Sequence, residues 1–263
     1  MRLRTFRRST AAVGVILATA IGWPVVGSAQ PLDFFHTLLM RRAVIEREVE
    51  AQIGRAEGGG QHEASIDLTI DYPPLPRWQL ELTIPLSWVD PADGSSTAGI
   101  DDSVVQSKVL LWSSPAAGVA VAGGLQLRLP TGSTALGAGE TAVALFVAAG
   151  FKLGVVEFQI DVGHEWGFPS ARGLSRTEQV TVGAAVGAPL TSRITPFLEV
   201  ASVDITRGGS ASDTRLGRRQ LYLAPGVNIE IAEGRTLLFG VELPVTRARN
   251  FDYAIRLGLV WDF

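Results

Sequence analysis

The 263-residue sequence has no cysteine. No disulfide framework, thiolate metal centre or cysteine nucleophile is therefore available. Histidine is nearly as scarce. His36, His62 and His164 are the only three, and no two are spaced as paired metal ligands. Serine–histidine chemistry, as in an outer-membrane lipid hydrolase, would need one of these rings beside a hydroxyl, with Ser103 or Ser175 within reach of His164. Neither spacing nor motif favours that, so no enzyme activity, metal or cofactor is expected. Long apolar runs are also missing. Beyond the first thirty residues no stretch approaches the eighteen or so apolar residues of a spanning helix, which excludes a helical membrane protein. Yet 46% of the chain is hydrophobic, so the apolar residues must be dispersed in a pattern.

The N-terminus has the marks of an exported precursor. Arg2, Arg4, Arg7 and Arg8 precede an apolar stretch, Ala11 to Val26, broken by Thr19 and ending at the small residues Gly27-Ser28-Ala29. Residues 1–29 are expected to be a cleaved signal peptide. Without its four arginines the remainder carries 19 basic against 26 acidic residues, a net charge of −7. A nucleic-acid partner would call for a basic face, and none is expected.

What the sequence does have is period-two alternation. From Phe251 to Phe263, Phe251, Tyr253, Ile255, Leu257, Leu259, Trp261 and Phe263 alternate with residues that are small or polar apart from Val260. This is a β-strand with one apolar and one polar face. Eleven further segments read the same way, giving twelve strands near 44–56, 62–72, 77–89, 102–113, 118–129, 141–152, 155–166, 177–188, 193–205, 219–231, 236–245 and 252–263. Each is about as long as a tilted strand crossing a bilayer. After a first glycine-rich link at 58–60, the connectors alternate between short and long, as in outer-membrane barrels with short periplasmic turns and longer external loops. The expectation is an all-β, antiparallel up-and-down transmembrane barrel over residues 44–263, with both termini periplasmic and bacterial outer-membrane lipid as its solvent. Residues 30–43 precede it as a periplasmic lead-in or short plug.

Strand 77–89 gives the barrel a scale. Trp78 and Trp88 bracket Leu80, Leu82, Ile84 and Leu86 on one face. Ten residues rise about 33 Å, or about 24 Å vertically at a 45° tilt, matching the apolar band of about 25 Å between aromatic girdles. Trp78, Trp88, Trp166 and Trp261 are the expected girdle. The opposite faces place Glu81, Lys108, Arg128, Glu157, Asp161, Glu165, Glu230, Glu242 and Arg256 at the lumen wall. Such charges either pair across the interior or line a water-filled path, and their acidic balance would favour cations. The segments 141–152 and 177–188 are Ala- and Gly-rich on the inner face, either leaving room in the lumen or accommodating a bulky neighbour. Pro85 and Pro225 fall inside strands of a structure with no free edge, and bulges are expected there. The stretch 31–45 fits a helix about as well as a strand.

Short motifs add a resemblance. Gly99-Ile100-Asp101-Asp102, then Lys108, then Leu127-Arg128-Leu129-Pro130-Thr131-Gly132 resemble the family of outer-membrane transporters named for the meta-pathway of phenol degradation, although Ile100 stands where a second glycine is usual. Arg256, Gly258, Trp261 and Phe263 resemble the C-terminal signal read by the barrel-assembly machinery. The resemblance implies a channel or transporter for a small-molecule solute, hydrophobic or aromatic. The alternative is a barrel with a filled lumen and a structural or surface-interaction role.

Overall fold

In the computed structural model the described residues are 32–58, 60–92, 94–133, 136–168, 177–208 and 217–263. The expected signal peptide lies outside them. Thirteen strands follow in order: β1 (Glu48–Gly58), β2 (Gln61–Leu75), β3 (Trp78–Pro91), β4 (Thr97–Ile100), β5 (Val104–Ser114), β6 (Val119–Arg128), β7 (Thr141–Leu153), β8 (Val156–Phe168), β9 (Glu178–Gly187), β10 (Ile194–Arg207), β11 (Arg219–Ala232), β12 (Arg235–Pro244) and β13 (Tyr253–Asp262). Every strand pairs antiparallel with its neighbours, the short β4 with β3 alone, and β13 returns to pair with β1 from Glu48↔Asp262 to Glu57↔Tyr253. The result is a closed twelve-stranded antiparallel barrel, the fold class expected from the alternation. Closure leaves no edge among the twelve long strands, where in hydrocarbon an edge would expose unpaired backbone groups.

The alternation decides which side of each strand faces which solvent. On β7, Ala142, Ala144, Phe146 and Ala148 are buried inside, whereas Leu145 and Val147 are exposed outside. Leu257, Leu259 and Trp261 of β13 likewise point out while Ala254 and Val260 are buried. Turns at the rim bearing Glu48 and Asp262, the terminal rim, are short. Two are two-residue turns with glycines in the left-handed region, Gly154 (φ 61°) and Gly234 (φ 65°), where a side chain would be strained. Longer connectors sit at the far rim.

Neither internal proline requires a bulge. The β2–β3 register runs unbroken through Asp67↔Pro85. On its other side β3 changes partner, pairing β5 from Trp78 to Thr83 and β4 from Leu86 to Val89. Pro85 lies in that changeover, so its missing N–H faces no waiting carbonyl, and its own carbonyl accepts from the Asp101 N–H (2.9 Å). At Pro225 the β11–β12 ladder loses a rung between Leu223↔Leu243 and Gly226↔Gly240 without changing register. The bulges that do occur lie near strand ends, as between Tyr72 and Leu75 or between Glu230 and Ala232.

Residues 32–47 form neither helix nor strand. Their backbone groups bond to side chains of the barrel wall instead of to a ladder of their own.

Candidate functional site

The course of residues 32–47 is fixed by their partners. The Phe35 N–H donates to Glu157 Oε2 (2.8 Å) and the Phe35 carbonyl accepts from Gln159 Nε2 (2.8 Å), both on β8. On β11, Asn228 holds His36 by both backbone groups, its Oδ1 accepting the N–H (3.1 Å) and its Nδ2 donating to the carbonyl (2.9 Å). On β10, Glu199 accepts the N–H groups of Leu38 (2.5 Å) and Leu39 (3.0 Å). Arg41 donates to Asp161 of β8 (2.9 Å), and the Glu46 N–H donates to Gln79 of β3 (2.8 Å). A segment bonded to strands on every side of a closed ring must lie inside it. The lumen is occupied by the chain's own N-terminal segment.

Two apolar seats hold it. Phe34, Ala43 and Val44 pack on Ala120 and Ala122 of β6 and Ala148 of β7. Phe35 and Leu38 pack on Ala185, Phe197, Leu238 and Val260, with the Phe35 and Phe197 rings stacked at 5.4 Å. Burying a Phe or Leu side chain is worth about 1.5–3 kcal/mol, so these contacts alone disfavour release of the segment. The small inner residues are their counterpart. A Cβ on Gly150 would sit 2.7 Å from the Phe34 ring, one on Gly187 2.7 Å from Phe35, and one on Gly183 2.6 Å from Met40. The Ala- and Gly-rich faces therefore accommodate bulky neighbours; they do not leave the lumen empty.

An ionic cluster anchors the other end of the segment. Arg42, buried, pairs with Glu48 (2.9 Å) and with Glu46. Lys108 is only 2% exposed, and its Nζ reaches Glu46 Oε2 (2.6 Å) and the Arg42 carbonyl (3.3 Å). Burial alone would raise the Glu46 carboxyl, but the Arg42 and Lys108 cations outweigh it and hold that group below the usual carboxylate range. Around these lie Glu50, Asp71 bonded to Gln79, and Glu81 bonded to Gln106. Buried charges of this density persist only when paired and hydrogen-bonded.

The other residues expected at the wall divide between the two halves of the lumen. Glu157 also accepts from Lys152 (2.7 Å) at the terminal rim, and Glu230 lines a cavity there. Toward the far rim, Arg128 donates to Glu165 (2.6 Å), which also accepts from Gln179 (3.1 Å). Arg256 makes two bonds to Glu242 (3.0 and 2.9 Å) and one to Gln52 (3.1 Å). Gln79, Gln159, Glu199 and Asn228, which carry much of the segment's bonding, were not singled out by sequence. The one available signal was a polar residue set between two apolar ones, as Glu199 is between Leu198 and Val200.

On the outer face, Trp88 and Trp261 are exposed, with the Arg235 guanidinium 5.1 Å from the Trp261 ring. Trp78 donates to Ser107 (2.9 Å) and Trp166 packs against His164 (4.1 Å). Trp112, not among the expected girdle, is exposed beside Leu111 where a bulge turns both outward. Gly258 lies on β13 opposite Gln52, and Phe263 caps the strand with Arg47 5.0 Å over its ring. Ser103 bonds Thr131 (2.9 Å) and His62 lies 3.6 Å from Glu57; Ser175 is outside the described residues.

The family-like motifs meet at the far rim. Asp102 Oδ1 and Oδ2 accept the N–H groups of Gly132 (2.9 Å) and Ala138 (2.8 Å), and Thr131 Oγ1 accepts the Ser103 N–H (2.8 Å). The Asp101-Asp102 and Leu-Pro-Thr-Gly segments thus clasp two loops together.

Two polar cavities flank the occupying segment. One, of about 130 Å³, lies against β1, β2, β3 and β5 beside Glu50, Thr69, Glu81, Gln106 and Lys108. The other, of about 380 Å³, opens among the terminal-rim turns beside Lys152, Glu157, Arg193, Asn228 and Glu230.

Solved structures of similar shape are outer-membrane proteins. The COG4313 outer-membrane channel of Pseudomonas putida F1 superposes with a TM-score of 0.63 at 16% identity, over 82% of this chain and 94% of that one. The NanC porin gives 0.59 at 12% identity, over 82% and 100%. The KdgM porin gives 0.53 at 10% identity, over 82% and 99%. At these identities the likeness is one of fold. No curated protein matches in sequence. The model of the family described as "Putative MetA-pathway of phenol degradation" matches residues 75–251, from β2 to the last far-rim loop, and the chain belongs to that family.

Proposed function

We propose that this protein is an outer-membrane channel for small solutes, whose width at the terminal rim is set by residues 32–47. One observation carries the reading: the segment occupies the lumen on apolar and ionic seats that the wall supplies, while polar cavities remain on both sides of it. The fold shared with channels and porins supports it, as does the family. Both termini would then face the periplasm, since short turns are the periplasmic ones in barrels of this kind. The wall beside the cavities is charged and hydrogen-bonding, which suits solutes carrying a hydroxyl or ionised group. An aromatic substrate with such a group would satisfy both this lining and the family's association with phenols. The girdle tryptophans would anchor the barrel in lipid, and Arg256, Gly258, Trp261 and Phe263 would be read by the assembly machinery.

The test is conductance across a planar bilayer of the folded chain from Gln30 onward and of a variant lacking residues 32–46. The intact barrel should conduct weakly and the deletion severalfold more. Folding is checked by heat-modifiable gel mobility. If the folded deletion does not conduct, the channel reading fails, and the filled lumen belongs to a structural or surface-interaction barrel.

A further inference from the structure

We propose that the side chain of His36 is the constriction of the solute path. The inference rests on the channel reading above and names the point where that path is closed. Among the described residues bordering the two cavities, His36 alone borders both. His36 therefore stands where the space beside Glu81, Gln106 and Lys108 meets the terminal-rim vestibule beside Glu157 and Glu230. The backbone cannot easily yield there. The His36 N–H and carbonyl are both held by Asn228, and those of Phe35 by Glu157 and Gln159. With the main chain pinned on consecutive residues, a change of imidazole rotamer is the movement that widens this point without unseating the segment. The smaller cavity, about 130 Å³, is close to the roughly 150 Å³ that holds one benzene ring, so a single-ring or smaller solute fits the route up to this point.

The geometry also states what crosses. On one side of His36 stand Lys108 and Arg42 among carboxylates, and on the other Lys152, Arg193, Glu157 and Glu230. A solute with one polar group and a compact body finds donors and acceptors in both cavities and needs only a narrow slot between them.

The absence of native cysteine makes the test direct. In the full mature barrel, H36A should raise single-channel conductance about two- to fivefold, and H36W should lower it below the intact value. H36C should conduct like H36A until a methanethiosulfonate reagent is added from the terminal-rim side, whereupon current should fall in one step. If the folded 32–46 deletion conducts but H36A, H36W and modified H36C all match the intact barrel, the path runs elsewhere and this proposal fails while the channel reading stands. If the deletion does not conduct, both fail. Should H36A not fold, the modification of H36C alone decides, since an unchanged current overturns the constriction.

Discussion

Lys108 shows what a single inward charge does in this barrel. Its ammonium is almost fully buried and bonds Glu46, which is itself shared with Arg42. Removing one partner of a buried pair leaves the other uncompensated, at a cost of about 3–5 kcal/mol. K108M should therefore lower the urea stability of the folded barrel by less than that amount, since Arg42 still pairs with Glu46. K108M with E46Q should recover part of the loss, because the carboxylate that lost one of its two cations is gone and Arg42 keeps Glu48. A double-mutant cycle in lipid vesicles measures both, and additive losses would show that the pair is not coupled. Lys108 was legible in the sequence because it falls on the inward face of an alternating strand and belongs to a family-like motif. Arg42, its neighbour in the cluster, was not, since the stretch around it has no period that fixes a face.

At the scale of elements, strands and occupying segment differ in how they are encoded. Each strand carries its own signal, since alternation sets which residues face lipid. The twelve staves consequently fall within a few residues of their expected positions. The segment 32–47 carries no such signal. Its partners lie far along the chain, 192 residues away for His36 and Asn228, and no local pattern announces a contact made across the ring. The complementary trace is on the wall, in the Ala and Gly of β7 and β9, which is readable as small but not as a seat. Bulges are the expectation at Pro85 and Pro225 because a proline has no N–H to give the ladder; a change of partner and a skipped rung solve the same problem without altering register. The seat can be tested through its glycines. G150L with G183L puts side chains where Phe34 and Met40 now lie. The barrel should still assemble, since leucine is tolerated in strands better than glycine. The segment should be displaced, raising conductance toward that of the deletion and speeding tryptic cleavage after Arg41 and Arg42 by about tenfold. Unchanged conductance and cleavage would show that the seat has no hold on the segment.

For the molecule as a whole, the balance of inward charge sets which ions an opened lumen admits. Glu48, Glu50, Asp71, Glu81, Glu157, Asp161, Glu165, Glu199, Glu230 and Glu242 face the interior against Lys108, Lys152, Arg128 and Arg256. In the intact barrel much of this acidity is covered. Arg41 bonds Asp161, Arg42 bonds Glu48, and backbone N–H groups of the segment bond Glu157 and Glu199. Residues 32–46 contain Asp33 and Glu46 as well as Arg41 and Arg42, so removing them leaves the summed side-chain charge unchanged. What changes is which groups an ion meets. In the deletion Asp161, Glu48 and Glu199 become bare carboxylates on the wall against one bared cation, Lys108, which loses Glu46, all within the screening length of about 8 Å at physiological salt of any ion passing through a lumen this narrow. A ring of acidic side chains selects cations. The deletion should therefore be more cation-selective than the intact barrel, with its reversal potential in a tenfold KCl gradient shifted further toward the potassium equilibrium value. Neutralising the uncovered wall with D161N and E199Q in the deletion should return the reversal potential most of the way to the intact one. A deletion with unchanged or anion-shifted selectivity would mean that ions do not pass along this wall.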